Sequence, residues 1–250
     1  MNIRLFLAPC LLISAAAFAA DAPKIPAKPI AEKKEVLFKD DMDGSSPDKR
    51  WHRVVDTFAF EKGALKGTQT RVKDEPSKDG KSVITAHAAV YGLEVPTKDS
   101  VVEVKIRFDG CTMIDVEFDD RKYTGSHYGH LCRAQVRLDK VTILDEREGS
   151  QNEIIKALKK EKDPAKQAEA AKLMAGKSAT FPVSLEQNKD YTLVVETVGD
   201  EMRVSIDGKA VAFLKSPGIG HETKSKIELG VAGQSGWFDG ITVWNAAPTK

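Results

Sequence analysis

The chain has 250 residues, of which 41% are hydrophobic and 30% charged, and its formal net charge is +1 at pH 7. This composition is ordinary for a soluble globular protein. The balanced charge excludes the single-sign field that attracts nucleic acid or an anionic membrane surface, so we expect no nucleic-acid partner.

The first twenty residues have the pattern of a secretory signal. Arg4 precedes an apolar run from Leu5 to Phe18, and Ala17-Phe18-Ala19 provides the small residues of a cleavage site. The run is too short to span a bilayer, which takes about 20 apolar residues. The sequence therefore predicts removal of residues 1–20 and export to the periplasm or the extracellular space, with no membrane span.

Residues 21–34 are rich in proline, alanine and lysine, which predicts a flexible tether ahead of one folded domain at residues 35–247. Within that domain, residues 36–42 have the pattern of a first strand. Two short strands flank Lys62-Gly63, and residues 68–81 are polar and typical of a loop.

The clearest strand patterns lie in the middle of the chain. Val102, Val104, Ile106 and Phe108 alternate with charged residues, and Ile114, Val116 and Phe118 do the same after Asp109-Gly110. An Asp-Gly pair between alternating runs is typical of a hairpin turn, so we expect these two strands to be neighbours. A third alternating run follows at residues 130–138.

One segment, residues 152–175, breaks the strand pattern. It is rich in alanine, lysine and glutamate, and Pro164 stands where a helix would begin, so we expect two short helices or one broken helix. This insertion could cover a sheet edge, or it could be a lid or a docking element for a protein partner.

The last sixty residues, from Tyr191 to Trp244, predict antiparallel strands separated by glycine-containing turns. We expect Trp244 to lie in the core and Trp51 to pack over strand ends. Two cysteines lie outside the signal, and in an exported protein Cys111 and Cys132 could form a disulfide or remain two buried thiols.

The order of these motifs resembles a known group of folds. The strings FAFEKGALKG, GHLCRAQV, VGDEMRVSIDGK and FDGITVW resemble secreted concanavalin A-like, laminin-G-type jelly rolls. The nearest group is similar to the bacterial 3-keto-disaccharide hydrolase domains, which are related to family 16 glycoside hydrolases. The resemblance spans roughly residues 36–246 and implies an all-β, two-sheet antiparallel jelly-roll sandwich with a helical insertion, on whose concave sheet carbohydrate is bound.

The string MIDVEFDD, residues 113–120, resembles the E-x-D-x-E strand of retaining family 16 enzymes. In that family the first glutamate is the nucleophile and the last is the acid/base. Two carboxylates about 5 Å apart are what retaining chemistry requires. The resemblance places Asp115 and Glu117 on the last two positions, but Met113 occupies that of the nucleophile, and a thioether cannot form the glycosyl ester. The sequence therefore does not predict a family 16 retaining mechanism.

Two interpretations of these charges remain open. They could form a solvated ladder of cross-strand ion pairs, in which Lys105 and Glu103 would lie near Asp115 and Glu117. Alternatively, they could form a polar floor that binds sugar, with Asp115 or Glu117 as general acid or base if the protein is an enzyme. Further candidates for binding are Arg107, Tyr123, Tyr128, His130, Arg133 and Gln135.

Metal binding is a further possibility that the sequence raises only weakly. His127 and His130 have a spacing that suits a metal, but zinc usually takes three or more protein ligands. Jelly rolls of the resembled kind often hold calcium, for which Asp41, Asp43 and Asp239 could provide oxygens. We expect no required cofactor, with calcium as the possible exception.

Taken together, these features predict an exported glycan-directed domain. Binding is favoured over turnover because no complete set of acid, base and nucleophile can be assembled. An enzyme acting on a keto-sugar or glycoside remains open. The other alternative is a structural or adhesion protein of the cell envelope that binds a protein partner.

Overall fold

Two antiparallel sheets pack face to face in the computed structural model, which describes residues 22–43 and 48–250. The predicted signal lies outside the described residues. The strands are β1 Ala31–Asp40, β2 Trp51–Arg53, β3 Phe58–Glu61, β4 Ala64–Thr68, β5 Glu75–Pro76, β6 Val83–Ile84, β7 Ala89–Leu93, β8 Ser100–Asp109, β9 Met113–Asp119, β10 His130–Val136, β11 Lys140–Asp145, β12 Ser178–Pro182, β13 Asp190–Val198, β14 Glu201–Ile206, β15 Lys209–Lys215, β16 Lys226–Ala232 and β17 Ser235–Pro248. The helices are α1 Glu153–Lys160 and α2 Pro164–Met174.

The order of the strands confirms a jelly-roll sandwich. The eight-stranded sheet runs β15-β14-β13-β8-β17-β4-β3, with β1 also paired to β17. The seven-stranded sheet runs β12-β11-β10-β9-β16-β7-β2, and β5 and β6 form a separate hairpin. The inward side chains of both sheets share one apolar core. Each buried aliphatic or aromatic side chain there stabilises the fold by roughly 1.5–3 kcal/mol.

The alternation of β8 and β9 is as the sequence predicts, but their pairing is not. β8 pairs with β13 and β17, whereas β9 pairs with β10 and β16. The Asp109-Gly110 turn, with Gly110 at φ 78°, therefore passes the chain from one sheet to the other. Lys105 and Glu103 consequently lie far from the acids of β9: Lys105 pairs with Asp239, and Glu103 pairs with Lys33.

The predicted flexible tether is wrong for the described part of residues 21–34. β1 already begins at Ala31, and residues 22–30 form an N-terminal strap on the outer face of the eight-stranded sheet. Glu196 Oε2 accepts from the backbone N–H of Ile30 at 2.6 Å, and Arg203 Nε donates to the carbonyl of Pro26 at 3.0 Å. Arg203 and Glu196 also pair with each other, and both are buried.

The inserted segment forms two short helices, which is one of the two alternatives that the sequence predicts. The Asn152 side chain caps α1 by accepting from the N–H groups of Ile154 and Ile155, and Asp163 caps α2 ahead of Pro164. In the part of the chain that the structure describes, neither these helices nor any other is long and apolar enough to cross a membrane.

The tryptophans divide between the core and the surface. Trp51 is buried and stacks on Tyr91 with ring centroids 5.0 Å apart, as predicted from packing over strand ends. Trp244 is only half-buried and packs with Val101 and Ala31 in a small cluster on the outer face of the eight-stranded sheet. The prediction that Trp244 lies in the main core is therefore wrong.

Candidate functional site

Charged side chains cover the outer face of the seven-stranded sheet where β9 lies between β10 and β16. The core side of β9 holds Ile114, Val116 and Phe118, so the alternate residues must point outward. The strand register places Glu228, Glu117 and Arg133 in one row across the three strands. We call the following set the polar face: Asp115, Glu117, Asp119, His130, Arg133, Gln135, Glu146, Lys226 and Glu228.

Arg133 is the central cation of the polar face. Its guanidinium lies 2.6 Å from Glu117 Oε1, 3.2 Å from Asp115 Oδ2 and 2.9 Å from Glu146 Oε2. Glu146 reaches the guanidinium from a π-helical turn, Glu146–Ser150, that directly follows β11. The three buried carboxylates raise the pKa of Arg133, although burial opposes its charge, so the guanidinium is permanently ionised.

His130 is a second cation in the same network. Its Nδ1 lies 2.6 Å from Glu117 Oε1 and 3.0 Å from Asp119 Oδ1. Burial favours the neutral imidazole, but hydrogen bonds to Asp119 and Glu117 outweigh burial and raise the pKa of His130 to about 10. At neutral pH the ring is therefore an imidazolium that donates to the carboxylates.

Lys226 is the third cation and lies on the β16 side of the polar face. Its Nζ is 3.0 Å from Asp119 Oδ2 and also bonds to Glu228. Although burial opposes ionisation of Asp119, hydrogen bonds from His130 and Lys226 lower its pKa. Asp119 is thus held as a carboxylate between two cations.

Three other acids of the face, Asp115, Glu117 and Glu228, are less favourably placed for ionisation. Burial raises the pKa values of Asp115 and Glu228, and it raises that of Glu117 well above its ordinary range. Five carboxyl groups of the polar face thus share three cations, Arg133, His130 and Lys226. A buried carboxylic acid that keeps its proton at neutral pH can donate a hydrogen bond or a proton.

Two glycines leave room for side chains on the outer face of this sheet, one of them for Asp115 of the polar face and the other for the neighbouring His52. A Cβ added to Gly230 would lie 1.9 Å from Asp115 Oδ1, and one added to Gly92 would lie 2.2 Å from the His52 ring. The side chains of Asp115 and His52 therefore occupy the space above Gly230 and Gly92, where any larger residue would clash with them. These glycines, and the alternation of Lys226 and Glu228 in KIELG, were signals of the site that the sequence analysis missed.

Met113 is buried at the position of the family 16 nucleophile. Its thioether lies 3.8 Å from Nη2 of Arg137, which directly follows the neighbouring strand β10. The resembled family has a carboxylate at this position, and here there is a thioether below a guanidinium.

An aromatic ledge, defined here as Tyr128, His127 and His130, leads from solvent to the polar face. The rings of Tyr128 and His127 are 4.3 Å apart, and those of His127 and His130 are 6.0 Å apart. Tyr128 is 79% exposed, and its φ of 50° lies in the left-handed region that bulky residues seldom adopt. Such strained backbone is found preferentially at functional sites.

Tyr123, by contrast, is half-buried and supports the loop behind the ledge. Its ring lies 5.0 Å from that of His221, whose Nε2 is 3.1 Å from Asp120 Oδ2. Arg147 donates to His221 Nδ1 at 3.1 Å, so that nitrogen carries no proton and Nε2 donates to Asp120. Tyr123 is therefore placed for packing.

Arg107 lies on the opposite sheet from the other predicted ligand-binding residues. It is on the outer face of β8, where it pairs with Asp190 at 3.2 Å and lies over the Trp237 ring. Because β8 and β9 belong to different sheets, Arg107 cannot join a site with Asp115, Glu117 or Arg133. Gln135 does join that site, since it is the partner of Asp115 in the strand register.

The predicted calcium ligands do not come together. Asp41 pairs with Lys39 and Asp239 with Lys105, each at 3.2 Å. Within residues 22–43 and 48–250, the one group spaced to hold a metal comprises Glu117, His130 and Glu146, with atoms within 4.8 Å of one another. Arg133 already lies among these three side chains, so a guanidinium provides the cation there. Calcium at the predicted aspartates stays a prediction.

The predicted disulfide is not formed in this structure. Cys111 and Cys132 are free thiols, both fully buried. Cys111 follows β8 in the connection between the sheets, whereas Cys132 lies within β10. Burial raises the pKa of Cys111 to about 11 and that of Cys132 to about 12, which keeps both thiols protonated. The alternative of two buried thiols is the one that the structure contains.

Comparison with known proteins identifies the fold. No family model matches the chain, and no curated protein matches it in sequence. A laminarinase from Rhodothermus marinus is similar in structure, with a TM-score of 0.57 and 11% identity over 88% of this chain and 100% of the other. A non-specific endo-β-1,3(4)-glucanase from family GH16 has a TM-score of 0.56 and 10% sequence identity, over 91% of this chain and 96% of the other. The carbohydrate-binding module CBM66 from Bacillus subtilis has a TM-score of 0.50 and 16% sequence identity, over 78% of this chain and 96% of the other.

At these identities the similarity concerns the fold alone. The strand topology and these neighbours place the protein in the class of concanavalin A-like jelly rolls related in fold to family GH16. The class includes binding modules as well as hydrolases, so a function has to be argued from the polar face itself.

Proposed function

We propose that the protein is an exported carbohydrate-binding jelly roll that holds a sugar on the polar face and aromatic ledge. The observation that carries this proposal is Tyr128, an exposed ring on strained backbone beside a built hydrogen-bonding floor. Sugars are recognised by aromatic faces combined with fixed polar groups, and both are present here. The fold neighbours include a carbohydrate-binding module, which supports this class of ligand.

The parts of the polar face that a ligand can reach determine which residues bind it. The side chains of Arg133 and His130 keep 15% and 16% of their surface exposed, and Gln135 is half-buried. Sugar hydroxyls would accept from Arg133 and exchange hydrogen bonds with Gln135, while Tyr128 stacks on the ring. Asp115 and Glu117 are 3% exposed, so their role is to orient Arg133 and His130.

Binding is preferred to turnover because the charges are already paired across strands. Glu117 is held by Arg133 and His130, and no nucleophile occupies the position of Met113. A retaining hydrolase needs a second free carboxyl close to the first, and among residues 22–43 and 48–250 the carboxyls of the polar face are all buried.

The experiment is a glycan array followed by titration calorimetry on the best ligand. Tyr128→Ala and Gln135→Ala are each expected to weaken binding about tenfold, which corresponds to about 1.4 kcal/mol. Tyr128→Phe preserves the stacking face and should bind as the wild type does. Val72→Ala removes another exposed apolar side chain, one that lies outside the site, and serves as the matched control. Binding that Tyr128→Ala leaves unchanged would refute the proposal.

A second function, acid/base processing of a glycoside or a 3-keto-disaccharide, is favoured by one observation. Burial raises the pKa of Glu117 well above its ordinary range, and a raised carboxyl pKa is what a general acid requires. Turnover assays on ordinary and 3-keto disaccharides distinguish this function from binding. Turnover lost in Glu117→Gln but retained in Tyr128→Phe would establish the enzyme, whereas absence of turnover with intact binding supports the binding module.

A further inference from the structure

A second cleft lies on the outer face of the eight-stranded sheet, on the opposite side of the sandwich from the polar face. Its volume is about 130 Å³. The side chains that line it come from the β3–β4 turn and from β8, β13 and β17: Lys62, Lys105, Arg107, Asp190, Trp237 and Asp239. The sequence predicts Arg107 for a sugar-binding site and Asp239 for a calcium site, and both line this cleft.

Arg107 has unused hydrogen-bonding capacity in this cleft. Its only hydrogen bond to a described residue is to Asp190 Oδ1 at 3.2 Å, although a guanidinium carries five N–H donors. About a third of its side chain is exposed. Most of the guanidinium donors are therefore free to bind a planar anion in the bidentate geometry that arginine favours.

Trp237 provides a rigid floor beneath Arg107. The indole is buried, and its Nε1 donates to Asp109 Oδ2 at 2.9 Å. The guanidinium of Arg107 lies 5.2 Å from the centre of the ring, and the ammonium of Lys66 lies 5.1 Å from it. The cation–π contact fixes the guanidinium before any ligand arrives, which lowers the entropic cost of binding.

Lys62 adds a cation at the tip of the β3–β4 turn. Its φ is 52°, in the left-handed region where glycine or asparagine is the usual residue. It is exposed and makes no ion pair with any described residue. The two-residue turn Lys62-Gly63, which joins β3 and β4, therefore presents the Lys62 ammonium at the rim of the cleft.

We propose that this cleft binds a carboxylated sugar. Arg107, Lys62 and Lys105 would hold the carboxylate, and the exposed carboxylates of Asp190 and Asp239 would accept from the hydroxyls. Three cations against two acids favour an anionic ligand. The interleaved acids disfavour a membrane surface, which is attracted by a positive patch free of carboxylates. This site is independent of the proposed function of the polar face.

The test is a titration with tetragalacturonate at low ionic strength, followed by the fluorescence of Trp237 beside Arg107. We expect saturable binding that Arg107→Gln weakens at least tenfold and Lys62→Gln weakens less. The matched control is Lys33→Gln, because Lys33 lies 3.8 Å from the Trp244 ring on the same outer face but outside the cleft. It removes the same charge and should bind as the wild type does.

Several outcomes would overturn the proposal. One is equal binding of a neutral tetrasaccharide, and another is an equal loss in Arg107→Gln and Lys33→Gln, which would indicate only a general charge effect. A third is binding to anionic phospholipid vesicles with none to tetragalacturonate. Tyr128→Ala should leave tetragalacturonate binding unchanged, so failure of this site and failure of the polar-face site can be told apart.

Discussion

The two outer faces of the sandwich each contain a buried arginine–carboxylate cluster, but the clusters are completed differently. On the eight-stranded sheet, backbone N–H groups of the N-terminal strap and of Ala31 donate to Glu196, and the strap carbonyl of Pro26 accepts from Arg203. On the seven-stranded sheet, Arg133 binds three carboxylates and no strap crosses it in the described chain. The strap therefore covers the arginine–carboxylate cluster of the eight-stranded sheet. The corresponding cluster of the seven-stranded sheet stays accessible to a ligand.

Among the variants of the two clusters, Arg133→Ala is expected to lower the free energy of unfolding most. Removing the guanidinium leaves Asp115, Glu117 and Glu146 without their shared cation, which should cost about 5 kcal/mol of unfolding free energy at pH 7. The loss should be smaller at pH 5, because carboxyls whose pKa is raised take up protons and no longer repel one another. Urea unfolding at both pH values measures the difference. Arg53→Ala, at an exposed pair, is the control and should cost under about 1 kcal/mol.

Arg203→Ala should have the next largest effect, about 3 kcal/mol, since Glu196 is then buried without its cation. The strap also loses the donor to Pro26, so the bond after Lys24 should become accessible to trypsin. Limited proteolysis with mass spectrometry detects that cleavage. If Arg203→Ala resists trypsin as well as the wild type does, the strap is held by its apolar contacts instead.

The pH dependence of the unfolding free energy tests the role of His130, the second cation of the polar face. Its pKa is raised to about 10 in the folded state, so its contribution is complete below the ordinary histidine pKa and is lost as the pH rises towards 10. The free energy of unfolding should fall by about 1.4 kcal/mol per pH unit in that range. His130→Asn should remove this slope. An unchanged slope would assign it to other groups.

The smallest change in stability is expected from Tyr128→Gly. Glycine adopts the left-handed backbone at φ 50° without strain, so the variant should gain up to about 1 kcal/mol in stability while binding sugar more weakly. Thermal unfolding and calorimetry measure the two effects. A variant that gains stability and keeps its affinity would show that the strain at Tyr128 does not serve binding.

Local pattern predicted the elements of this fold but not their neighbours. The alternation in residues 102–108 and 113–119 gave the correct inward faces, because burial depends on period alone. Either pairing satisfies that period, so the Asp109-Gly110 turn was compatible both with a hairpin and with the observed passage between sheets. The choice is made by contacts with β13, β16 and β17, which lie far along the chain.

The site was predictable only where it lies in regular strands. Asp115, Glu117 and Arg133 followed from alternation, and the structure brings them together as expected of neighbouring strands. Glu146 comes from a π-helical turn with no periodic signal. The strap escaped prediction for a related reason: its anchors are backbone atoms, which are the same in every sequence.

The position of the last strand has a practical consequence. Thr249 donates from its backbone N–H to the carbonyl of Ile30 at 3.0 Å, so the last strand and the strap finish side by side on the eight-stranded sheet. Protein immobilised through a linker after Lys250 would be held by that side. Because β17 runs from Ser235 to Pro248, Trp237 lies near the opposite end of this strand, and a linker after Lys250 would leave the cleft at Trp237 accessible.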